Sequence, residues 1–256
     1  MNQIKLKFYE SVFAILRIDT SLQKDNARVV GTGFVINTNP IQVLTCNHVV
    51  GEGNPENNGK IIYSIVKRSD NSTDFDLRNA QISYLKAKTI IFKPEYDLAI
   101  LEIDPSQNKE IAEKIGIPHT IKPLEIDFEE TTIGTLVEWL SAGTLGDLTI
   151  TPRLFKGSIV TKYIKDNQYK FLNSQGVEEN ATMPGINLFE VDQLFFPGCS
   201  GSPIISSESR KVIGWVHGFN SWQLPPNVTA SLSIGISVSN IKDFLISNKI
   251  ISHAGN

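Results

Sequence analysis

Gly198-Cys199-Ser200-Gly201-Ser202-Pro203 sets a serine between glycines. Glycine at 198 permits a backbone turn that aims successive N–H groups inward, and Gly201 leaves room beside the hydroxyl. This frame suits a nucleophile with its own oxyanion hole, formed by the backbone N–H groups of Gly198 and Ser200. Two upstream stretches offer partners. Leu44-Thr45-Cys46-Asn47-His48-Val49-Val50 carries a histidine at the end of an apolar run, and Tyr96-Asp97-Leu98-Ala99-Ile100-Leu101 carries a carboxylate at the start of another. A serine nucleophile needs a base for its proton, an acid to orient that base, and donors for the developing oxyanion. His48, Asp97 and Ser200 supply the three side chains in that order. Each alone has a plainer reading, as a turn serine, a structural histidine at a strand end and a capping aspartate. Their joint occurrence in one chain is what carries the chemistry.

Composition narrows the alternatives. With 256 residues, 41% of them hydrophobic, the chain can bury a large core as one all-β domain or two packed units. The net charge of −3 and the scattered Lys and Arg give no electrostatic footprint for nucleic acid or anionic membrane. The N-terminal segment has no uninterrupted apolar stretch or small-residue cleavage site, which predicts a cytoplasmic protein unless a secretion signal has been removed. Only two cysteines occur, Cys46 and Cys199, too few for a secreted disulfide scaffold. Four dispersed histidines and two cysteines show no metal-ligand spacing, and neither a metal nor a cofactor is expected. Sequons at Asn71, Asn180 and Asn227 read as polar loop residues in such a compartment.

Short β-rich runs recur between turn residues: 11–18, 29–36, 42–46, 61–66, 98–103, 135–140, 157–164, 203–206 and 212–217. That spacing predicts a sandwich or barrel rather than alternating strand and helix. Segments 51–60 and 174–184 are polar enough to read as long loops. An apolar stripe at Ile241, Phe244, Leu245 and Ile246 after Ser239 or Asn240 predicts a terminal helix, and Asn108 caps a shorter candidate over 108–115.

At this point the chain resembles the chymotrypsin-like and trypsin-like serine peptidases, most closely their bacterial glutamyl endopeptidase and HtrA-type branches. Gly31-Thr32-Gly33-Phe34-Val35-Ile36 looks like the strand before the catalytic histidine. Leu44 to Val50, Asp97-Leu98-Ala99-Ile100 and Pro197 to Pro203 match the histidine, aspartate and serine motifs. Lys211-Val212-Ile213-Gly214 and Ser233-Ile234-Gly235-Ile236-Ser237 look like the last barrel strands. The resemblance implies two six-stranded antiparallel β-barrels ahead of the C-terminal α-helix; Pro123 and the acidic stretch Glu125 to Glu130 read as the linker between them, which sets the barrels at 1–125 and 126–256. His48 and Asp97 would come from the first barrel and Ser200 from the second, acting on a protein or peptide substrate. The rival reading is a latent or non-catalytic peptide-binding module on the same fold, controlled by an activating partner.

Departures from the family qualify this. Animal trypsin-like enzymes have aspartate before the serine, where it pairs with a newly cut N-terminus; Cys199 cannot, so activity should not require N-terminal processing. The resemblance places the specificity pocket at Leu194, Phe195 and Phe196, then Val216, His217, Gly218 and Phe219, with substrate pairing as an added strand along 217–219. No carboxylate stands there to hold a basic residue. Glutamyl endopeptidases carry their pocket histidine two residues beyond the equivalent of Gly214, whereas His217 comes one later. Strand alternation then turns His217 away from the pocket unless a bulge restores the register, so a small or apolar preference is expected, narrowed by Phe195 and Phe219. Cys46 and Cys199 beside the site read as small buried hydrophobes, or alternatively as a redox modulation point.

Overall fold

β-branched runs punctuated by glycine, proline and asparagine favour extended backbone, and strands so close in sequence pair with antiparallel neighbours. The computed structural model describes residues 10–19, 26–51, 61–66, 75–76, 85–114, 117, 121–142, 149–150, 153–172, 178–224 and 228–251. The strands are β1 (Val12–Asp19), β2 (Asn26–Thr38), β3 (Ile41–Thr45), β4 (Ile61–Val66), β5 (Phe75–Asp76), β6 (Leu85–Lys93), β7 (Leu98–Ile103), β8 (Leu136–Ser141), β9 (Thr149–Ile150), β10 (Arg153–Leu172), β11 (Glu178–Val191), β12 (Pro203–Ser206), β13 (Val212–Leu224) and β14 (Val228–Ser237). Six close into a first barrel in the order β1-β2-β3-β7-β6-β4, and six into a second in the order β10-β11-β14-β13-β12-β8. The expected pair of six-stranded barrels is present. β5 and β9 form a small separate pair.

Two barrel strands differ from the sequence expectation, and the short β5–β9 pair had no strand reading either. β6 had no strand reading, because Lys86 and Lys88 interrupt its apolar run; its outward face is simply wet. The polar segment 174–184, read as a loop, is strand from Glu178 onward, because β10 and β11 make a long hairpin. Most of segment 51–60 lies outside the described residues.

Both helices form. Asn108 Oδ1 accepts the Ile111 N–H at 3.1 Å and starts α1 (Lys109–Lys114). At the C-terminus a 3-10 turn over Val238–Ile241 runs into α2 (Lys242–Ser247). Ser237, rather than Ser239 or Asn240, is its cap, accepting the Ser239 N–H at 3.3 Å. Asn240 instead ties the turn to β11 by donating to Asn187 O at 2.9 Å.

One apolar cluster runs through the first barrel and continues into Leu140, Ile205, Val212 and Trp215 of the second, while Trp139, Phe189, Ile204 and Val216 centre a cluster inside the second barrel. Each side chain of this size withdraws enough apolar surface to stabilise the fold by about 1.5–3 kcal/mol. The crossing segment 121–135 is stitched to both barrels, through Leu124 N–H to Val35 O at 2.9 Å and the reciprocal pair Asp127 N–H to Val212 O and Val212 N–H to Glu125 O, both 2.8 Å. Across the seam β1 lies against β8 and the Pro94–Tyr96 turn against β10 and β11, and Thr32 of β2 bonds to the serine loop and to Ala142.

Candidate active site

Asp97 ends a 3-10 turn over Pro94–Tyr96 in the left-handed conformation, φ 48° and ψ 46°. Aspartate tolerates that conformation better than bulkier residues do, and it turns the carboxylate back toward the end of β3. There it binds His48 twice. Oδ1 accepts the His48 backbone N–H at 3.0 Å, and Oδ2 lies 2.8 Å from the ring Nδ1. The Asp97 carbonyl also accepts the Asn47 N–H at 3.1 Å, so one residue fixes both the backbone and the ring of the histidine turn.

A second imidazole shares the same oxygen. His217 Nδ1 lies 2.6 Å from Asp97 Oδ2, and the two rings meet edge to face with centroids 5.8 Å apart. A β-bulge explains its direction: Val216 pairs with Gly235 and Gly218 with Ile234, leaving His217 as the extra residue. The bulge therefore turns the ring onto the carboxylate. With Asp97 ionised, both Nδ1 atoms donate, leaving each Nε2 with its lone pair. Burial alone would raise the Asp97 pKa, but the bonds from His217 and His48 hold it far below the ordinary carboxylate range. Burial also pulls the His48 pKa down; the bond to Asp97 and its negative charge outweigh this and carry it above 6.5.

Ser200 arrives on a turn across Phe196–Cys199. Pro197 and Gly198 occupy its centre, Gly198 has φ +92°, and the Cys199 N–H returns to Phe196 O at 3.0 Å. Proline followed by a positive-φ glycine is type II turn chemistry. Among the described residues the N–H groups of Gly198 and Ser200 have no protein acceptor, so both remain available to an oxygen. The Gly198 carbonyl is held from behind by Thr32 Oγ1 at 2.7 Å and Ser141 Oγ at 3.4 Å, while Ser200 O accepts the Thr32 N–H at 2.8 Å. Gly201, at φ +83°, could not carry a Cβ, which would meet Thr32 O and, at 2.5 Å, Thr45 Oγ1. The Ser200 hydroxyl lies 3.4 Å from the His217 carbonyl oxygen and, among the described residues, makes no hydrogen bond to His48.

The remaining residues singled out from sequence separate by burial. Phe195 and Val216 are packed inside the second barrel, Phe195 against Trp139 with ring centroids 4.8 Å apart. Leu194, Phe196 and Phe219 are exposed at 41%, 38% and 56%. Gly218 and His217 border a cavity of about 200 Å³ between the 3-10 turn and the β10–β11 hairpin, with Tyr96, Tyr163 and Lys165 on its walls. Cys46 and Cys199 are both buried and unpaired, and burial raises both thiols above the ordinary value. Sequence reasoning did not find the contact of His217 with Asp97 or the Thr32 and Ser141 support. The only visible signal for the latter was that Gly31-Thr32-Gly33 keeps a hydroxyl between two residues without side chains.

A family profile for the trypsin-like peptidase domain matches residues 31–214, which carries all three motifs. The chain belongs to the trypsin-like peptidase family. As a trypsin-like peptidase it is a serine endopeptidase acting on proteins or peptides. Among solved structures, the active form of the Rv3671c protease from M. tuberculosis is 21% identical, with a TM-score of 0.55 over 95% of this chain and 83% of that one. The HtrA-type protease AlgW, solved with a decapeptide, is 13% identical, with a TM-score of 0.57 over 98% of this chain and 67% of that one. These likenesses are to the fold. No curated protein sequence matches this trypsin-like peptidase significantly, and no helix among its described residues is long and apolar enough to cross a membrane.

Proposed function

We propose that this peptidase cleaves through a His48–Asp97–Ser200 triad and an acyl-enzyme, with Gly198 and Ser200 N–H as the oxyanion hole. The supporting observation is the His48 Nδ1 contact to Asp97 at 2.8 Å, which leaves Nε2 as the base on a histidine whose backbone the same carboxylate fixes. Rotation of the Ser200 hydroxyl from His217 O to His48 Nε2 precedes attack. The substrate carbonyl oxygen then takes its charge between the two unclaimed N–H groups, and His48 returns the proton to the leaving amine. Water repeats the sequence on the acyl-enzyme.

The domain boundary is set at 125/126, supported by the absence of barrel strands among the described residues between Ile103 and Leu136. A small or apolar residue before the scissile bond is favoured by the exposed apolar side chains of Leu194, Phe196 and Phe219. A cytoplasmic setting is supported by the two unpaired, buried thiols. The burial of those thiols speaks against redox modulation. The second reading, a latent peptidase completed by a substrate or activating partner, is favoured by one observation: the hydroxyl rests on His217 O rather than on His48. Fluorophosphonate labelling of the chain alone and Ser200→Ala in a peptide-cleavage assay test both readings. Ser200→Ala should lose cleavage while retaining peptide affinity. Unchanged cleavage by Ser200→Ala would refute the triad, and labelling only after addition of lysate would select the latent form.

A further inference from the structure

Two of four histidines, far apart in sequence, place Nδ1 atoms 2.8 and 2.6 Å from one carboxylate oxygen. Catalysis needs only His48 there, so His217 supplies a second soft nitrogen donor on the same buried carboxylate. Donor atoms of Cys46, His48 and Asp97 also lie within 4.8 Å of one another. We propose that His48 Nδ1, His217 Nδ1 and Asp97 Oδ2 form a reversible inhibitory site for a divalent transition cation of the zinc class. The inhibition rests on the peptidase reading above; the binding does not.

The chemistry follows from the donor set. Two imidazoles and one carboxylate suit Zn²⁺ or Cu²⁺ and are too nitrogen-rich for Mg²⁺ or Ca²⁺. Ligand distances near 2.0–2.2 Å put neighbouring tetrahedral donors about 3.3 Å apart, so both rings have to swing, each Nδ1 moving off Asp97 Oδ2 from its present 2.8 or 2.6 Å and in toward the other ring, whose centroid is 5.8 Å away. Both rings can move, since the side chains of His48 and His217 are 44% and 40% exposed, whereas the carboxylate, at 8%, is the fixed point. The adjoining cavity gives the metal a fourth position for water. Cys46 is the weaker donor: its thiol is buried, donates to Val216 O at 3.1 Å, and must lose a proton to bind.

Proton balance explains the inhibition. In the free enzyme each neutral imidazole carries its proton on Nδ1 and its lone pair on Nε2. When the metal takes Nδ1, that proton moves through solvent to Nε2, and no net proton is released. His48 Nε2 then has no lone pair for the Ser200 proton. Removing the metal restores the original tautomer.

The binding test is calorimetric titration of Zn²⁺ into the full chain carrying Ser200→Ala, and into the same chain with His217→Gln or His217→Ser, each verified as folded by thermal melting. One Zn²⁺ per chain is expected, weakened at least about tenfold by either His217 substitution, with Cys46→Ala changing affinity less than about threefold. In the activity test, Zn²⁺ inhibits wild-type cleavage and EDTA reverses it, while Mg²⁺ and Ca²⁺ at equal concentration do nothing. Absence of Zn²⁺ binding, affinity unchanged by both His217 substitutions, or a loss seen only with Cys46→Ala would overturn the site. Binding without inhibition would overturn its inhibitory role. A wild-type chain with no cleavage at all would refute the peptidase reading and leave the calorimetry to decide the site.

Discussion

Thr32→Val should separate the chemistry of the oxyanion turn from the stability of the barrel seam. Valine keeps the shape of threonine and removes only the hydroxyl, which here holds two backbone groups. Thr32 Oγ1 donates to Gly198 O at 2.7 Å and accepts the Ala142 N–H at 3.2 Å. Leaving a buried backbone group without its partner costs ~1–3 kcal/mol. Ser141 Oγ, already 3.4 Å from Gly198 O, can take over part of the first bond, so the lower half of that range applies to it. The combined loss is then about 2–5 kcal/mol, a large share of a domain's net stability. The catalytic effect is of another kind. The Gly198 carbonyl anchors the turn that aims the Gly198 N–H, and complete loss of one oxyanion donor costs about 10²–10³ in kcat. A loosened turn should cost less, about ten- to a hundredfold in kcat with KM nearly unchanged, because the substrate gains these bonds mainly in the transition state. Denaturant unfolding and steady-state kinetics on Thr32→Val and Thr32→Ser provide the assay. Thr32→Ser keeps the hydroxyl and should recover most of both losses. A folded Thr32→Val enzyme with kcat within about twofold of wild type would show that Ser141 and the turn's own geometry suffice, and the reasoning would fail.

His48 must be neutral to act as a base, and its pKa is raised above 6.5, so cleavage measured in chelator should fall on the acid side with a midpoint above that value. A midpoint at or below 6.5 would contradict the Asp97 pairing. The stability linkage has the opposite sense. The raised His48 pKa stabilises the fold fully below its unfolded value and loses that contribution as pH rises through the folded value, whereas the depressed Asp97 pKa stabilises above the ordinary carboxylate range and is lost on acidification. Gly201→Ala combines a left-handed backbone with a Cβ driven into Thr32 O, so it should accumulate poorly or melt far below wild type; a melting temperature within a few degrees would refute the close packing. Peroxide should leave cleavage unchanged at concentrations that oxidise exposed thiols, because Cys46 and Cys199 are buried with raised thiol pKa values. Inactivation that Cys46→Ala or Cys199→Ala abolishes would restore the redox reading.

What sequence could and could not show follows from how local each feature is. Strands such as 98–103 and 203–206 are legible because apolar β-branched residues crowd into short runs, and the Gly198–Pro203 motif is legible because its turn requires glycine whatever surrounds it. β6 is harder to see, since Lys86 and Lys88 belong to its wet face and alternation there is imperfect. His217 depends on something no local pattern encodes. Period-two alternation assigns it a face only while the ladder stays in register, and the β13–β14 ladder slips between Val216 and Gly218. An extra residue at that slip is freed from the alternation, so its direction is set by what lies opposite. Opposite is a buried carboxylate with an acceptor site left after His48 has bound, and a polar ring beside it gains a charge-assisted hydrogen bond that an apolar side chain would forgo. The bulge and the aspartate come from different barrels and lie 120 residues apart, so the pairing exists only once the barrels have docked. That is also why the composition of this site resembles an ordinary triad in sequence while its geometry adds a second imidazole. The same docking that completes the nucleophile's turn through Thr32 brings His217 to Asp97.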